Sequence, residues 1–502
     1  MGERSAQQAR ILAIDAGTTS VRTLAVTESA EVVAVGRREF AQHYPRPGWV
    51  EHDAAEIWAG VQATIREVLD DEAVDPAAIS AIGITNQRET AVAWDRDSGE
   101  PLAPAVVWQD RRTADRCEAL RAEGAEAEIR ATTGLLCDPY FSATKFEWLL
   151  RHGGVEAGPR LALGTVDSWL AFKLTGGACH VTDASNASRT MLYDIGAGRW
   201  STELCDRFGV PASALPAVVD SSQAFGTTDP DACAIAVPVA GLAGDQQSSL
   251  FGQACFTPGA TKNTYGTGSF VLVNAGETMP PATEELVATV AWRLDGVHTY
   301  ALEGSIFVTG AAVQWLRDKL GVVDAAAEIG PLAESVPDTS GVVFVPALAG
   351  LGAPYWNPRA RGAVFGLTRG VTRAHLARAV VESMAFQTRD VASAAARTLP
   401  EPIAEMRVDG GASVMDVLCQ VQADQLGVDV VRTAQKETTA LGAAFLAGIA
   451  TGVWGGLDDV SAAWQADRRF TPTGDRAAAD AAYATWCRAV DRVVDYAAVV
   501  PD

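Results

Sequence analysis

Ile11-Leu12-Ala13-Ile14 runs apolar, stops at Asp15-Ala16-Gly17-Thr18-Thr19-Ser20, and resumes as Val21 to Val26. Two short apolar stretches around a polar, glycine-containing turn predict strand, tight turn, strand. Val32 to Val35 reads as a third strand. Asp53 and Glu56 then stand at capping-box spacing ahead of Ile57, Trp58, Val61, Ile65, Val68 and Leu69, which recur at helical intervals. Another strand, Ile79 to Ile84, ends in Thr85-Asn86-Gln87-Arg88-Glu89-Thr90. Apolar strands alternating with helices, each strand ending in a polar loop, predict an α/β architecture.

The same grammar returns. Val237 to Ala243 leads into Gly244-Asp245-Gln246-Gln247, and a strand-turn-strand surrounds Gly266-Thr267-Gly268. Met406-Arg407-Val408 runs into Asp409-Gly410-Gly411, followed by a helix with Val414, Val417, Leu418 and Val421 on one face and Gly427 at its end. This weak internal repeat predicts two related domains, 10–255 and 256–502, facing one central cleft, with the boundary near Phe256-Thr257-Pro258-Gly259. Ala478 to Ala498 reads as a surface helix packed through Tyr483, Trp486, Val490 and Val493.

Charge narrows the partners. Lys+Arg total 40 against 62 Asp+Glu, a formal charge of −22, and such a surface repels polyanions, so nucleic acid is not an expected partner. An anionic small molecule remains compatible with local Arg side chains, backbone N–H groups or a divalent metal. The eight Cys are scattered, without C-x-x-C pairs or zinc-ligand spacing, which fits a reducing, cytoplasmic setting. The opening MGERSAQQAR lacks the apolar core of a signal peptide, and Ala6 stands where a myristoylation motif wants Ser or Thr. Thr438 to Leu457 is uncharged over a length that could span a bilayer, but its glycines point to a tightly packed helix instead, so no stable membrane insertion is expected.

No G-x-x-x-x-G-K-[ST] and no G-x-G-x-x-G opening a helix occurs, which removes P-loop and dinucleotide folds. Asp95-Arg96-Asp97-Ser98-Gly99 lacks the later ligands of a calcium loop and reads as a hairpin turn. In the Asp15 to Arg22 segment the turn offers backbone N–H groups and hydroxyls to phosphate oxygens, Asp15 can hold hydrated Mg²⁺, and Arg22 supplies a cation; a capped hairpin turn explains the same residues. Gly266-Thr267-Gly268 and Gly410-Gly411 carry weight only together with it. Asp245, at a strand end, can accept a proton from a substrate hydroxyl that attacks phosphorus. Arg88 and Glu89 are an adjacent pair that would by default be a surface ion pair, and Trp108 and Tyr140 would by default be packing aromatics. A polyol nevertheless calls for this mixture, because it has apolar C–H faces as well as hydroxyls.

These residues lie in strings with a family likeness. The chain resembles the FGGY carbohydrate kinases, and within them the members that act on glycerol, through Pro47-Gly48-Trp49-Val50-Glu51-His52-Asp53, Gly83 to Thr90, Val107-Trp108-Gln109-Asp110-Arg111-Arg112-Thr113, Asp138-Pro139-Tyr140-Phe141-Ser142 and Val181-Thr182-Asp183 with Asn186 to Met191. Ala243 to Gln247, Lys262 to Gly268, Ala353-Pro354-Tyr355-Trp356 and Arg361 to Gly370 continue the likeness. It implies two ribonuclease-H-like, actin-like ATPase domains closing around ATP and substrate, and transfer of a phosphoryl group from ATP with Mg²⁺ to glycerol. By matching position, Arg88, Glu89, Tyr140, Asp245 and Gln246 would hydrogen-bond glycerol, Trp108 and Phe270 would pack on its carbons, and Asp245 would be the general base. Thr18, Thr19, Ser20 and Arg22 would hold the nucleotide phosphates, Thr267 would approach the transferred group, Asp15 would position Mg²⁺, and Gly310, Gln314 and Gly411 would complete the nucleotide site. A homo-oligomer, dimer or tetramer, is the expected assembly.

Three departures stand out. Met415 occupies the position of the family's nucleotide-contacting Asn, and can still pack against a base. Ser221 to Val239 holds no His of the kind some members phosphorylate, and Asp231-Ala232-Cys233-Ala234-Ile235 replaces the Gly-Gly-x-x-Arg string associated with fructose 1,6-bisphosphate, so neither regulator is expected to act at its usual place. Three rivals remain open: a related kinase for another small polyol or a ketose, an actin-like ATP-dependent scaffold that uses no acceptor, and a catalytically silent paralogue, to which Met415 lends some weight.

Overall fold

Every residue of the predicted run Ile11 to Ile14 is buried, because the strand it belongs to lies inside a sheet covered on both faces. The computed structural model describes residues 8–499; the opening residues 1–7, including Ala6, on which the reading of no leader and no myristoylation bears, lie outside the described residues. The first sheet contains β1 (Ala9–Ala16), β2 (Ser20–Thr27), β3 (Val32–Glu39), β4 (Ala81–Asn86), β5 (Ser222–Thr227) and β6 (Pro238–Gly244) in the order β5-β6-β4-β1-β2-β3. β1, β2 and β3 form an antiparallel meander, while β4 and β6 join β1 in parallel.

The second sheet repeats this plan. It contains β7 (Thr261–Tyr265), β8 (Ser269–Gly276), β9 (Val287–Leu294), β10 (Val297–Ile306), β11 (Glu405–Gly410), β12 (Asp429–Thr433) and β13 (Ala466–Phe470) in the order β9-β10-β8-β7-β11-β12-β13. Here β7, β8 and β10 are the meander, and β11 and β12 are the parallel strands. The α/β expectation with a duplicated domain plan is borne out in strand order, where it is far clearer than in the residues. In both sheets the parallel strands deliver their carboxyl ends to one side, the usual place for ligands in open α/β sheets.

Two helices exchanged between the halves form the connection. α3 (Asp245–Gly252) follows β6 and packs against β7 and β8, whereas α7 (Thr438–Ala450) lies on β4 and β6 of the first sheet. Glycine permits this approach: a Cβ on Gly83 would stand 2.1 Å from the Ala443 carbonyl oxygen, and one on Gly442 would stand 1.9 Å from that of Ser248. The uncharged run from Thr438 is thus a packed helix, and no helix among the described residues is long and apolar enough to cross a membrane.

Local expectations divide. α1 (Ala54–Leu69) starts at Asp53, whose carboxylate accepts from the Ala55 and Glu56 amides. Glu56 does not close a capping box, however, because its carboxylate accepts instead from the Ala41 amide at 3.2 Å, tying the loop after β3 to the helix. Val414 is not on the buried helix face: α6 (Asp416–Leu426) begins two residues later, after the Gly410-Gly411 turn, and Val414 is 65% exposed. Asp95 accepts from the amides of Asp97 and Ser98, as a hairpin turn requires. α8 (Arg476–Val499) packs as expected, with Trp486, Val490 and Val493 buried, and the Tyr483 hydroxyl and Trp486 indole donate to Asp390 of α5 (Arg373–Thr398).

Candidate active site

At the end of β4 the chain turns sharply, and Glu89 takes a left-handed φ of 60°. A non-glycine residue held there stores strain that the surroundings must impose, a recurrent property of functional sites. Ser142, which opens α2 (Ser142–His152), donates its hydroxyl to the Glu89 carbonyl at 3.0 Å, and the buried Lys145 ammonium donates to the carbonyls of Pro139, Tyr140 and Phe141. These bonds fix the Glu89 turn and the Tyr140 loop against each other.

Arg88 and Glu89 are not a surface pair. Both are within 2% of complete burial, and Arg88 faces Asp245 with Nε 3.3 Å from Oδ1. Arg88 also donates to the Tyr140 hydroxyl at 3.3 Å and lies over Phe270, 5.9 Å from the ring centroid. Trp108 meets Tyr140 edge to face at 5.5 Å, and its indole N–H donates to Thr18 Oγ1 at 3.0 Å. Six predicted polyol residues, Arg88, Glu89, Trp108, Tyr140, Asp245 and Phe270, therefore form one contiguous wall, and Trp108 joins that wall to the first polar turn. Gln246 is the seventh, held by a 2.6 Å bond from the ammonium of Lys262.

Asp245 opens α3 directly after β6, with 32% of its side chain accessible from the cleft although protein surrounds it on every other side. Burial pushes its carboxyl up to about 6; Arg88 and Lys262 act against the rise, and Glu89 and Asp15 add to it. Lys262 is pushed down to about 8 by its own burial, with Asp409 and Asp245 opposing. A carboxylate with raised basicity in a partly dry cleft is suited to taking a proton.

The predicted phosphate residues gather less completely. Thr18, Thr19 and Ser20 form the β1–β2 turn, which Gly17 closes by donating its amide to the Ser20 carbonyl. Asp15 and Arg22 face each other across that hairpin and are paired, and Arg22 also reaches Glu437 at 2.5 Å. Thr267 is exposed at the β7–β8 turn, whose carbonyls accept from the amides of Thr309, Gly310 and Ala311. α4 (Gly310–Asp318) thus spends its first amides on the Thr267 turn, and Gly310 serves there by fit, since a Cβ would stand 2.5 Å from the Gly266 oxygen. Gln314 is exposed on α4, Gly411 is exposed after β11, and Met415 lies beside Gly330. The oxygens of Asp15, Thr18, Thr19, Ser20 and Thr267 are hard donors of the type Mg²⁺ takes, and that ion is ordinarily held by one or two carboxylates together with substrate phosphates.

Several residues that shape this site escaped sequence reasoning. Glu303 on β10 accepts from both terminal nitrogens of Arg88, Arg189 binds Glu89 and Glu303, and Gln247 accepts from Arg88. Asp409 accepts from Ser249 of α3, from Gln253 just after it and from Thr438 at the start of α7, while its second oxygen is buried without a partner. A lone acid inside the apolar run Tyr300 to Ile306 was the available signal for Glu303.

Family models for the FGGY carbohydrate kinases match this chain in two parts, the N-terminal domain over residues 10–252 and the C-terminal domain over residues 261–451. A glycerol kinase from Aromatoleum aromaticum is 54% identical over 486 residues, 96% of this chain and 98% of its own. One from Halorhodospira halophila is 52% identical over 498 residues, 98% of this chain and 97% of its own. The crystal structure of Plasmodium falciparum glycerol kinase with ADP superposes with a TM-score of 0.92 at 33% identity, covering 99% of each chain.

Proposed function

The chain belongs to the FGGY family of carbohydrate kinases, and we propose that its cleft transfers the γ-phosphoryl group of ATP to glycerol, giving ADP and sn-glycerol 3-phosphate, with Asp245 as general base. Its relatives carry the name glycerol kinase, and the solved one holds ADP, which supports ATP-dependent phosphorylation of glycerol. One observation carries the assignment of residues: the bond from the Trp108 indole to Thr18 makes the polyol wall and the phosphate turn a single surface, so an acceptor hydroxyl and a phosphate chain lie side by side.

Arg88, Glu89, Tyr140 and Gln246 hydrogen-bond the three hydroxyls, while Trp108 and Phe270 cover the carbons. Asp245 accepts the proton of the hydroxyl that attacks phosphorus, late in a loose transition state. The amides and hydroxyls of Thr18, Thr19 and Ser20, with Arg22 once it leaves its acidic partners, bind the phosphates, and Thr267 approaches the transferred group from the opposite half. Asp15 would hold Mg²⁺, which would neutralise charge on the phosphates. Gly310, Gln314, Gly411 and Met415 line the nucleoside side. Closure of the two halves, residues 10–255 and 256–502, excludes water so that glycerol is the acceptor. All eight cysteines are free thiols, which supports a cytoplasmic setting, and the working assembly is a homo-oligomer, dimer or tetramer.

ADP release with Mg-ATP, coupled to NADH oxidation, across glycerol, dihydroxyacetone, erythritol, D-xylulose, D-ribulose and no acceptor tests the proposal. Turnover centred on glycerol, with less on dihydroxyacetone, is expected. Preference for a pentulose removes the roles given to Trp108 and Phe270, and ATP hydrolysis without an acceptor points to the scaffold alternative.

A further inference from the structure

Four charges in and behind the polyol wall have almost no solvent: Arg88, Glu89, Arg189 and Glu303 are 2, 1, 0 and 1% exposed. Glu303 accepts from Arg88 Nη1 at 2.5 Å and Nη2 at 3.1 Å, and its Oε1 also accepts from Arg189 Nη2 at 3.0 Å. Arg189 Nε donates to Glu89 at 2.7 Å, and its guanidinium lies 5.7 Å from the centroid of the Tyr140 ring. Two cations and two anions therefore alternate as Arg88, Glu303, Arg189, Glu89. Burial would raise the Glu303 carboxyl, but Arg189 and Arg88 outweigh it and hold it down at about 2, so it stays ionised.

Burying four charges gains little stability over a well-packed apolar core, so their geometry needs another explanation. Glu303 is the one member from the second sheet, where it pairs with Leu272 and Val287, and it meets Arg88 across 215 residues of sequence. It accepts from both terminal nitrogens of Arg88, which also donate to Gln247 and to the Tyr140 hydroxyl, and so holds the Nε edge toward Asp245. We propose that Glu303 and Arg189 are positioning residues for the acceptor substrate: without touching it, they hold Arg88, Glu89 and Tyr140 in the pose that binds glycerol. This rests on the reading that Arg88 and Glu89 bind glycerol. Neutralising Glu303 leaves two buried guanidinium groups with one carboxylate fewer, and the freed fork of Arg88 turns onto Asp245, the next carboxylate within reach.

Glycerol and ADP affinities are to be measured separately by calorimetry on the full-length protein and on Glu303→Gln, Arg189→Lys and Arg88→Lys. Glu303→Gln and Arg189→Lys are each expected to weaken glycerol binding roughly ten- to a hundredfold, while ADP affinity stays within about twofold. A merely structural role weakens both ligands together or neither. Arg189→Lys keeps the charge, so it gives the decisive readout even if Glu303→Gln does not fold. If Arg88→Lys weakens glycerol but the other variants that fold leave it within about twofold, positioning is overturned and the site assignment stands. If Arg88→Lys itself leaves glycerol binding unchanged, the underlying reading of Arg88 fails.

Discussion

Arg88 approaches Asp245 edge-on, with its Nε 3.3 Å from Oδ1, while both of its terminal nitrogens are turned away onto Glu303. A bidentate Arg–carboxylate pair would stabilise the anion strongly and blunt it as a base. The edge-on contact orients Asp245 and leaves its second oxygen for the acceptor hydroxyl. Asp245→Asn keeps shape and hydrogen bonding but cannot take a proton, so kcat should fall by about 10²- to 10⁴-fold with glycerol affinity changed only slightly. Steady-state kinetics with a parallel glycerol titration checks this, and near-normal turnover removes Asp245 from the base role.

The same carboxylate sets a pH limb. Burial pushes Asp245 up to about 6, so it keeps its proton to a higher pH than an ordinary Asp and is a competent base only above that value. As pH falls through about 6, kcat/KM for glycerol should drop, approaching tenfold per unit. Glu303, held at about 2, stays ionised throughout and adds no limb. A profile flat down to the ordinary Asp range would place the essential proton elsewhere.

Arg22 bridges the halves, pairing with Asp15 of its own hairpin and with Glu437 at 2.5 Å just ahead of α7. Nucleotide phosphates must compete with Glu437 for this cation. The pair is partly exposed, so the competition is worth at most about 1 kcal/mol, or a factor of about five in affinity. Glu437→Gln should lower the KM for Mg-ATP by up to that factor and leave the glycerol KM unchanged. Arg22→Met should raise it instead, and equal effects on both substrates would refute a phosphate role.

What could be read from the sequence was local. β-branched runs and polar turns located the strand ends, which is why Asp15, Arg88, Asp245 and Gly411 emerged together as strand-end groups. The family strings carried the remaining assignments. The one signal for Glu303, a lone acid in a strand, is ambiguous for a physical reason: such an acid reads equally as a residue on a wet face, and only pairing across 215 residues shows that its partner is Arg88. Arg189 and Lys262 lay inside recognised strings, but nothing local distinguishes a buried cation from an exposed one. Val414 failed differently, because its spacing with Val417, Leu418 and Val421 is helical, yet the turn at Gly410, with φ 84°, delays the helix to Asp416. The duplicated domain plan is faint in sequence because it lives in strand order, which many residue choices satisfy.

Met415 is the N-cap of α6, with extended φ −80° and ψ 108°, and it makes no side-chain capping bond. Asn is among the best residues at that position, its side chain accepting from the amides of the first helical turn, whereas the Met side chain offers them no acceptor. Met415 also touches the surface near Gly330, so replacing it sacrifices some packing. Met415→Asn should therefore give a small net gain, about 0.5 kcal/mol in urea unfolding, the cap outweighing the lost contact. If the side chain also faces the base, as its position after Gly411 implies, the new amide should lower the KM for Mg-ATP severalfold without moving the glycerol KM. A stability gain with an unchanged ATP KM would confine position 415 to capping and take it out of the nucleotide site.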